Sequence, residues 1–144
     1  MQKVMFYCQH VLGMGHLIRS VALVRGLQTR FQVCFLNGGE VAPGFEFPEG
    51  VKIVNLPPIK SDADFKEIQA VNGESLAETR ARRTAILLGE YEQFQPDAVI
   101  VELYPFGRRK FSFELLPLLA RIRLAGKQTK VICSLRDILV QKPD

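Results

Sequence analysis

Short apolar runs alternate with longer amphipathic segments along this chain. Five of the runs have the length and the β-branched or aromatic content of buried strands. They are Val4–Gln9, Phe31–Leu36, Val51–Leu56, Ala98–Leu103 and Lys130–Ser134. The unbroken β-branched run at 99–101 predicts that the fourth strand lies inside a sheet rather than at its edge.

Three of the intervening segments repeat their apolar residues at helical spacing. The first follows a glycine-rich turn and extends to about Gln28, with Leu23 and Leu27 broadening its apolar face. The second begins at Ser75, because Ser75 and Glu78 have the spacing of a capping box. It is expected to end just before a proline at position 96.

The third helical segment is expected to begin with Ser112 as its cap and to extend to about Ala125, before a glycine. Pro117 inside this segment indicates either a kink or the true start of the helix. Residues 57–74 lack any such periodicity. They are expected to form the one long loop of the chain.

This alternation predicts a Rossmann-like α/β fold, in which helices cover both faces of a parallel sheet. Right-handed crossovers would connect the strands. The chain has 144 residues, of which 47% are hydrophobic and 24% are charged. These figures are typical of one globular domain, or of part of one, and they exclude a chain that is disordered throughout.

Hydropathy and cysteine content predict the compartment. No apolar stretch reaches the roughly 20 residues that span a bilayer, and the N-terminus lacks the features of a signal peptide. We therefore expect a cytoplasmic protein whose membrane contact, if any, is peripheral and at the inner face. Cys8, Cys34 and Cys133 lack metal-ligand spacing and lie in predicted strands, so we expect them to be free and buried.

The net charge of +4 is concentrated in the second half of the chain. Residues 1–72 hold 7 basic and 6 acidic side chains, whereas residues 73–144 hold 12 and 9. Clusters at 80–83 and 108–110 suit phosphate-bearing ligands, anionic lipid headgroups or nucleic acid. For 80–83 the preferred interpretation is a solvated helix face. The bases and aromatics at 106–113 match no nucleic-acid-binding motif, so no nucleic-acid partner is expected.

Ligands of open parallel sheets bind beyond the carboxyl ends of the strands. The turn after the first strand contains Gly13 and Gly15, which let the backbone approach a ligand, and it precedes a helix N-terminus that favours an anion. A dinucleotide fingerprint would need a glycine where Ile18 stands and an acid where Asn37 stands. No Walker-type Gly-Lys-Ser/Thr occurs either. We therefore expect neither a cofactor nor a metal.

His16 lies in the first turn of the next helix, where the helix dipole disfavours an imidazolium. A neutral histidine at this place is a candidate general base. Glu102, at the end of the fourth strand, is expected to reach His16 and to hold its tautomer, with Asp137 as the competing partner. Arg108 and Arg136 are the alternative partners of Glu102.

Three further residues are candidates for contact with a substrate. Arg19 lies in the same first helical turn, where a cation opposes the dipole, so it is expected to need a compensating anion from a ligand or from a surface ion pair. Asn37 and Gly38 follow the second strand and are expected at the same edge of the sheet.

The segment His10–Ser20, with Gly-x-Gly-His at 13–16, resembles the loop that opens the N-terminal domain of GT-B glycosyltransferases. It is most similar to predicted glycosyltransferases related to family 28, which includes the peptidoglycan N-acetylglucosaminyltransferase. Pro96–Glu102 resembles the fourth-strand segment of that domain, with Glu102 where related family 1 enzymes usually have an aspartate. Cys133–Asp137 is similar to the next strand end.

The resemblance implies the acceptor-binding half of an enzyme that transfers a sugar from a nucleotide-sugar donor to a hydroxyl or lipid-linked acceptor. In such enzymes a C-terminal domain holds the nucleotide, so residues 1–144 would form a single, incomplete acceptor-side domain that is inactive alone. His16 would be the base and Glu102 would orient it. The implied substrate-binding residues are Gly13, Met14, Gly15, Arg19, Asn37, Gly38 and Asp137.

Two other functions stay open. Hydrolases of pseudaminic acid synthesis have a similar loop, with an arginine three residues after the histidine, and cleave a nucleotide sugar with water in place of an acceptor. Alternatively, the chain is a non-catalytic module that docks a separate donor domain, or that pairs with a second copy of itself.

Overall fold

The computed structural model describes residues 1–10, 15–61, 68–70 and 75–135. These residues form seven strands and three helices. The strands are β1 (Lys3–Cys8), β2 (Gln32–Asn37), β3 (Lys52–Asn55), β4 (Ile59–Ser61), β5 (Ile68–Ala70), β6 (Ala98–Glu102) and β7 (Lys130–Ser134). The helices are α1 (Gly15–Leu27), α2 (Leu76–Phe94) and α3 (Ser112–Leu124), the last preceded by a 3-10 turn at Arg109–Phe111.

Five parallel strands form the main sheet, in the order β3-β2-β1-β6-β7. Cys8, at the end of β1, is in register with Asn37 at the end of β2. Glu102, at the end of β6, is in register with Ser134 at the end of β7. The predicted fold class is confirmed, and β6 lies inside the sheet as its apolar run predicts. The carboxyl ends of all five strands therefore meet at one edge.

An apolar core lies on each face of the sheet, between the sheet and the helices that cover it. On one face, Leu17, Val21 and Val24 of α1 pack with Phe6 and Phe35 of the sheet. On the other face, α2 and α3 cover a larger core. Its helical members include Leu87, Tyr91, Phe94, Leu115, Leu118 and Ile122. Burial on both faces explains why the central strands are continuously apolar instead of alternating.

The predicted long loop at 57–74 instead contains a small second sheet, which corrects the sequence-based expectation. β4 and β5 pair antiparallel, with Ile59 opposite Ala70 and Ser61 opposite Ile68. Ile59 is 1% exposed and packs in the core beneath α2 and α3. Strands of three residues are too short to produce a readable period, and the burial of Ile59 is decided by tertiary packing.

The predicted helix ends, and the predicted burial of one residue of α1, can be compared with the structure. The Ser75 hydroxyl accepts a hydrogen bond from the Glu78 amide at 3.1 Å, as the capping box predicts. Ser112 is not a cap: it is the first residue of α3, directly after the 3-10 turn. Pro117 lies inside α3 and does not mark its start. Leu23, expected in the apolar face of α1, is 39% exposed, because it lines an open groove between α1 and Ile100 and Ile132 of the sheet.

The three cysteines are free, as expected, but they differ in environment. Cys8 and Cys34 are buried in interior strands, whereas Cys133 is half-buried because β7 lies at the edge of the sheet. Within the described residues, no helix has the length and apolar character needed to cross a membrane.

Candidate active site

His16 and Glu102 meet at the carboxyl edge of the sheet. His16 is the second residue of α1, and Glu102 is the last residue of β6. The Nδ1 atom of His16 lies 2.5 Å from Oε1 of Glu102. The Glu102 side chain is fully buried, and that of His16 is 17% exposed. An ionised carboxylate only accepts hydrogen bonds, so Nδ1 donates to it and Nε2 is left as the basic nitrogen.

Glu102 depends on this one contact. Its other oxygen, Oε2, is buried and has no hydrogen-bond partner among the described residues. The chain leaves β6 sharply, with Leu103 in the left-handed region at φ 69° and its amide bonded to the Ser134 carbonyl at 2.9 Å. This turn ends the strand at Glu102 and holds the carboxylate at the edge.

Arg19 connects the first turn of α1 to the end of β7. Its guanidinium donates to the Ser134 hydroxyl at 3.2 Å and to the Leu135 carbonyl at 2.5 Å. Neutral acceptors at the end of β7 therefore take the place of the expected compensating anion. One of them, the Leu135 carbonyl, carries a partial negative charge. The contact ties the first turn of α1, which also contains His16, to the end of β7.

Arg108, one of the alternative partners of Glu102, instead donates to the Gln9 carbonyl at 2.8 Å, just after the end of β1. Gly15 is the first residue of α1, and a Cβ atom added to it would meet no other described residue within 4 Å. Gly13, Met14, Arg136 and Asp137 lie outside the described residues. Among the described residues, no three His, Cys, Asp or Glu side chains come together as metal ligands.

A second polar cluster, which the sequence analysis missed, joins the ends of β1, β2 and β3. Nε2 of His10 lies 3.0 Å from Oδ1 of Asn37, and Nδ2 of Asn37 donates to Oδ1 of Asn55 at 3.0 Å. Burial lowers the pKa of His10, which favours the neutral imidazole. Asn37 is 1% exposed. The asparagine that replaces the acid of a dinucleotide site thus organises three strand ends.

Gly38 and Gly39 let the exits of β1 and β2 pack together. A Cβ atom built on Gly38 would lie 2.1 Å from Oε1 of Gln9. One built on Gly39 would lie 2.2 Å from the His10 carbonyl oxygen. The clash at Gly39 is with backbone, which cannot move aside, so this glycine is needed for the close approach. At Gly38 the neighbouring atom is the end of the Gln9 side chain.

Arg83 corrects the expectation of a solvated face at 80–83, because its side chain is 0% exposed. It bonds both oxygens of Glu114 at 3.0 and 2.6 Å, the Gly38 and Pro57 carbonyls at 2.8 and 2.9 Å, and Oε1 of Gln9 at 2.6 Å. Burial acts to lower the pKa of Arg83, but the bonds to Glu114 outweigh it and raise that pKa.

The position of Arg83 in its helix contained a readable signal. Thr79, Arg83, Leu87 and Tyr91 are spaced by four residues, and all four are buried on one face of α2. An arginine on the apolar line of a helix points inward and needs buried acceptors. Its partners come from four distant segments, which the sequence does not reveal.

An open cleft of about 770 Å³ lies beside the second polar cluster. Asn37 and Asn55 contribute polar atoms to its wall, and Val41, Phe47 and Leu56 contribute apolar surface. This combination suits a ligand that has an apolar body and a hydrogen-bonding edge.

Solved structures with a similar fold include one protein from Phytolacca americana and one from Polygonum tinctorium. One is UGT2 of Phytolacca americana, solved with UDP-2fluoro-glucose and pterostilbene. The match covers 92% of this chain and 30% of the UGT2 chain, with a TM-score of 0.51 and 21% sequence identity. The other is a UDP-glucosyltransferase from Polygonum tinctorium that is capable of glucosylating indoxyl. This match covers 95% of this chain and 29% of that enzyme's chain, with a TM-score of 0.53 and 16% sequence identity. The chain shares their fold. It spans about 30% of their length.

No known protein-family model matches the sequence, and no curated protein matches it. At these identities the similarity to the plant enzymes concerns the fold alone.

Proposed function

We propose that this chain is the acceptor-binding domain of a GT-B glycosyltransferase, which moves a sugar from a nucleotide-sugar donor to a hydroxyl acceptor. The observation that carries the proposal is the contact between His16 and Glu102 at 2.5 Å. A histidine whose Nδ1 is held by a buried carboxylate has its Nε2 lone pair prepared to accept a proton. The fold shared with UDP-glucosyltransferases and the loop resembling family 28 relatives support it.

The proposed reaction is a direct displacement. Nε2 of His16 takes the proton of the acceptor hydroxyl while the hydroxyl oxygen attacks the anomeric carbon of the donor sugar. The bond from that carbon to the phosphate oxygen breaks, and the nucleotide leaves with the electron pair. Glu102 stabilises the imidazolium that forms. Since Glu102 is fully buried, its charge acts on His16 with little screening by water.

In this proposal the acceptor lies in the cleft beside Asn37, and Gly38 keeps the adjoining turn close to the sheet. The proposal also assigns substrate contact to Gly13, Met14, Gly15 and Asp137, with Arg19 tying the first turn of α1 to the end of β7. A second domain, in the same polypeptide or in a partner subunit, would hold the donor. The free buried thiols of Cys8 and Cys34 suit a reducing compartment, and we place the activity in the cytoplasm.

The test is an assay of the full polypeptide, with any donor-binding subunit, on nucleotide sugars and hydroxyl acceptors. Release of the nucleoside diphosphate is followed, and we expect it to depend on the acceptor. His16→Ala should lower kcat by about 10²- to 10⁴-fold, the range of a general base. Arg25→Ala, at an exposed position in the last turn of α1, is the control and should leave kcat unchanged. Full activity of His16→Ala would overturn the proposed role.

A nucleotide-sugar hydrolase is the second candidate, because the same pair could activate water. Release of free sugar without any acceptor would establish it, whereas strict acceptor dependence would exclude it. A non-catalytic docking module gives a third result: an assembled complex whose activity is insensitive to His16→Ala.

A further inference from the structure

Arg108 is a half-buried cation at the carboxyl edge of the sheet, and no acidic side chain of the described residues pairs with it. Its Nε atom donates to the Gln9 carbonyl at 2.8 Å. The two terminal nitrogens of its guanidinium make no hydrogen bond to a described residue. Since a guanidinium has five N–H donors, the four on these nitrogens are left for a ligand or for water.

The loop after β6 brings Arg108 back to the end of β1. Leu103 and Arg108 both have left-handed backbone conformations, with φ of 69° and 59°. The Gly107 amide bonds the Leu103 carbonyl at 3.0 Å, and the Phe111 amide bonds the Arg108 carbonyl at 2.9 Å. Residues other than glycine seldom adopt a positive φ, and such conformations concentrate at functional sites. Hydrogen bonds on both sides of Arg108 therefore hold the loop in an uncommon conformation that places its guanidinium beside Gln9.

This position is next to the pair of His16 and Glu102. Gln9 directly follows Cys8, the last residue of β1, and the Cys8 sulfur lies 3.8 Å from the His16 carbonyl oxygen. Burial lowers the pKa of His10, and the charge of Arg108 lowers it further. A charge has such an effect only on a group a short distance away. The guanidinium therefore lies at the part of the sheet edge where the candidate base is held.

We propose that Arg108 binds a phosphate group of the nucleotide-sugar donor and stabilises the charge that this group gains as the nucleotide leaves. This role rests on the proposed cleavage of a nucleotide sugar. In that reaction the bond from the anomeric carbon to the phosphate oxygen breaks, and the phosphate keeps the electron pair. The terminal N–H groups of Arg108 donate to the phosphate oxygens, and these bonds strengthen as negative charge accumulates. The guanidinium keeps all its protons throughout.

The surroundings of Arg108 favour a phosphate as its ligand. A planar guanidinium with both terminal nitrogens free can bond two oxygens of one phosphate. α1 begins at Gly15 at the same edge, and the N-terminus of a helix carries partial positive charge that attracts an anion. Arg19, in the first turn of α1, is already occupied by the Ser134 hydroxyl and the Leu135 carbonyl. Arg108 is therefore the better candidate for direct contact with the donor.

The experiment combines a binding measurement with kinetics, both on the full polypeptide with any donor-binding subunit. Inorganic pyrophosphate, titrated by calorimetry, probes the phosphate contact without any reaction. Arg108→Gln should weaken its binding about 10- to 100-fold, the range for the loss of a hydrogen bond to a charged group. The same variant should lower kcat about 10²-fold, because the lost bond is strongest in the transition state. Arg108→Lys keeps the charge and should recover part of both losses.

Arg109→Gln is the matched control. Arg109 is the next residue and is exposed, and its Nε likewise donates to a backbone carbonyl, that of Pro105 at 3.3 Å. This variant should leave pyrophosphate binding and kcat unchanged. His16→Ala separates the phosphate contact from the proposed base, since it should lower kcat and bind pyrophosphate as the unchanged protein does.

Absence of pyrophosphate binding in the unchanged protein, or an equal loss in Arg108→Gln and Arg109→Gln, would overturn the role of Arg108. So would an Arg108→Gln variant with unchanged kcat and a raised KM for the acceptor, which would assign the guanidinium to an anionic acceptor. If His16→Ala is fully active while Arg108→Gln loses pyrophosphate binding, the proposed base is wrong and the phosphate contact stands.

Discussion

Glu102 and His16 are 86 residues apart in the chain, yet their side chains are in contact at 2.5 Å. β6 pairs directly with β1, and α1 begins soon after β1 ends. Parallel pairing brings the carboxyl end of one strand beside the start of the helix that follows the other. The contact is therefore a consequence of strand order, and it makes the behaviour of Glu102 variants informative.

Glu102→Gln should separate the charge of this carboxylate from its shape. The amide oxygen can still accept from Nδ1 of His16, but the negative charge that stabilises an imidazolium is lost. We expect kcat to fall by about 10²-fold with little change in KM, since the loss concerns the transition state. Steady-state kinetics of the full polypeptide provide the measurement. Glu92→Gln, at a half-exposed position on α2, should have no effect, and an equal fall in both variants would contradict the assignment.

Arg83→Met should destabilise the fold strongly. The substitution leaves the carboxylate of Glu114 buried without its ion-pair partner and with the Tyr7 hydroxyl still donating to it, and breaking such a buried pair costs about 3–5 kcal/mol. Urea unfolding followed by circular dichroism measures the change. Adding Glu114→Leu removes the stranded charge, so the double variant should recover part of the lost stability. Arg82→Ala, at the neighbouring exposed position, should change stability by less than about 1 kcal/mol; a loss like that of Arg83→Met would show that burial is not the cause.

Gly39→Ala and Gly89→Ala should have opposite effects on stability. A Cβ at Gly39 would collide with the backbone carbonyl of His10, and the strain should cost about 1–3 kcal/mol. Gly89 lies inside α2, and nothing approaches within 4 Å of its added Cβ. Alanine there should stabilise the protein by about 0.5–1 kcal/mol through helix propensity. Thermal unfolding of both variants distinguishes them, and a stabilising Gly39→Ala would rule out the close packing of the β1 and β2 exits.

Stability should fall as the pH is lowered through about 6.5 because of His10. Burial lowers the pKa of His10 below its unfolded value of 6.5, so the unfolded chain binds the proton first. The free energy of unfolding therefore decreases from pH 6.5 down to the folded pKa and is unaffected by this group below it. Unfolding measured between about pH 7.5 and 5 should show the slope, and His10→Gln should reduce it. An unchanged slope in His10→Gln would assign it to another group.

Much of the fold could be predicted from local patterns. The apolar runs predicted all five strands of the main sheet, and the pair Ser75 and Glu78 predicted the start of α2. These features depend on neighbouring residues, so the chain itself contains the signal. The hairpin of β4 and β5 was missed because its formation accompanies the burial of Ile59 beneath distant helices.

Part of the candidate site could likewise be predicted from the sequence, and part could not. The meeting of His16 and Glu102 followed from a general property of parallel sheets, whose carboxyl ends converge. The cluster of His10, Asn37 and Asn55 did not, because side-chain hydrogen bonds between three strand ends depend on register and on small differences in backbone position. Gly39 is needed only because His10, just after β1, lies within contact distance of it.

By itself, the sequence determined the order of strands and helices and the presence of a histidine at the start of α1 and an acid at the end of β6. Tertiary structure alone decided which partners the buried polar groups have, above all that the acceptors around Arg83 come from Gln9, Gly38 and Glu114. The physical reason is range. Periodicity and capping act between residues a few positions apart, whereas the desolvation of a charge depends on every segment that packs around it.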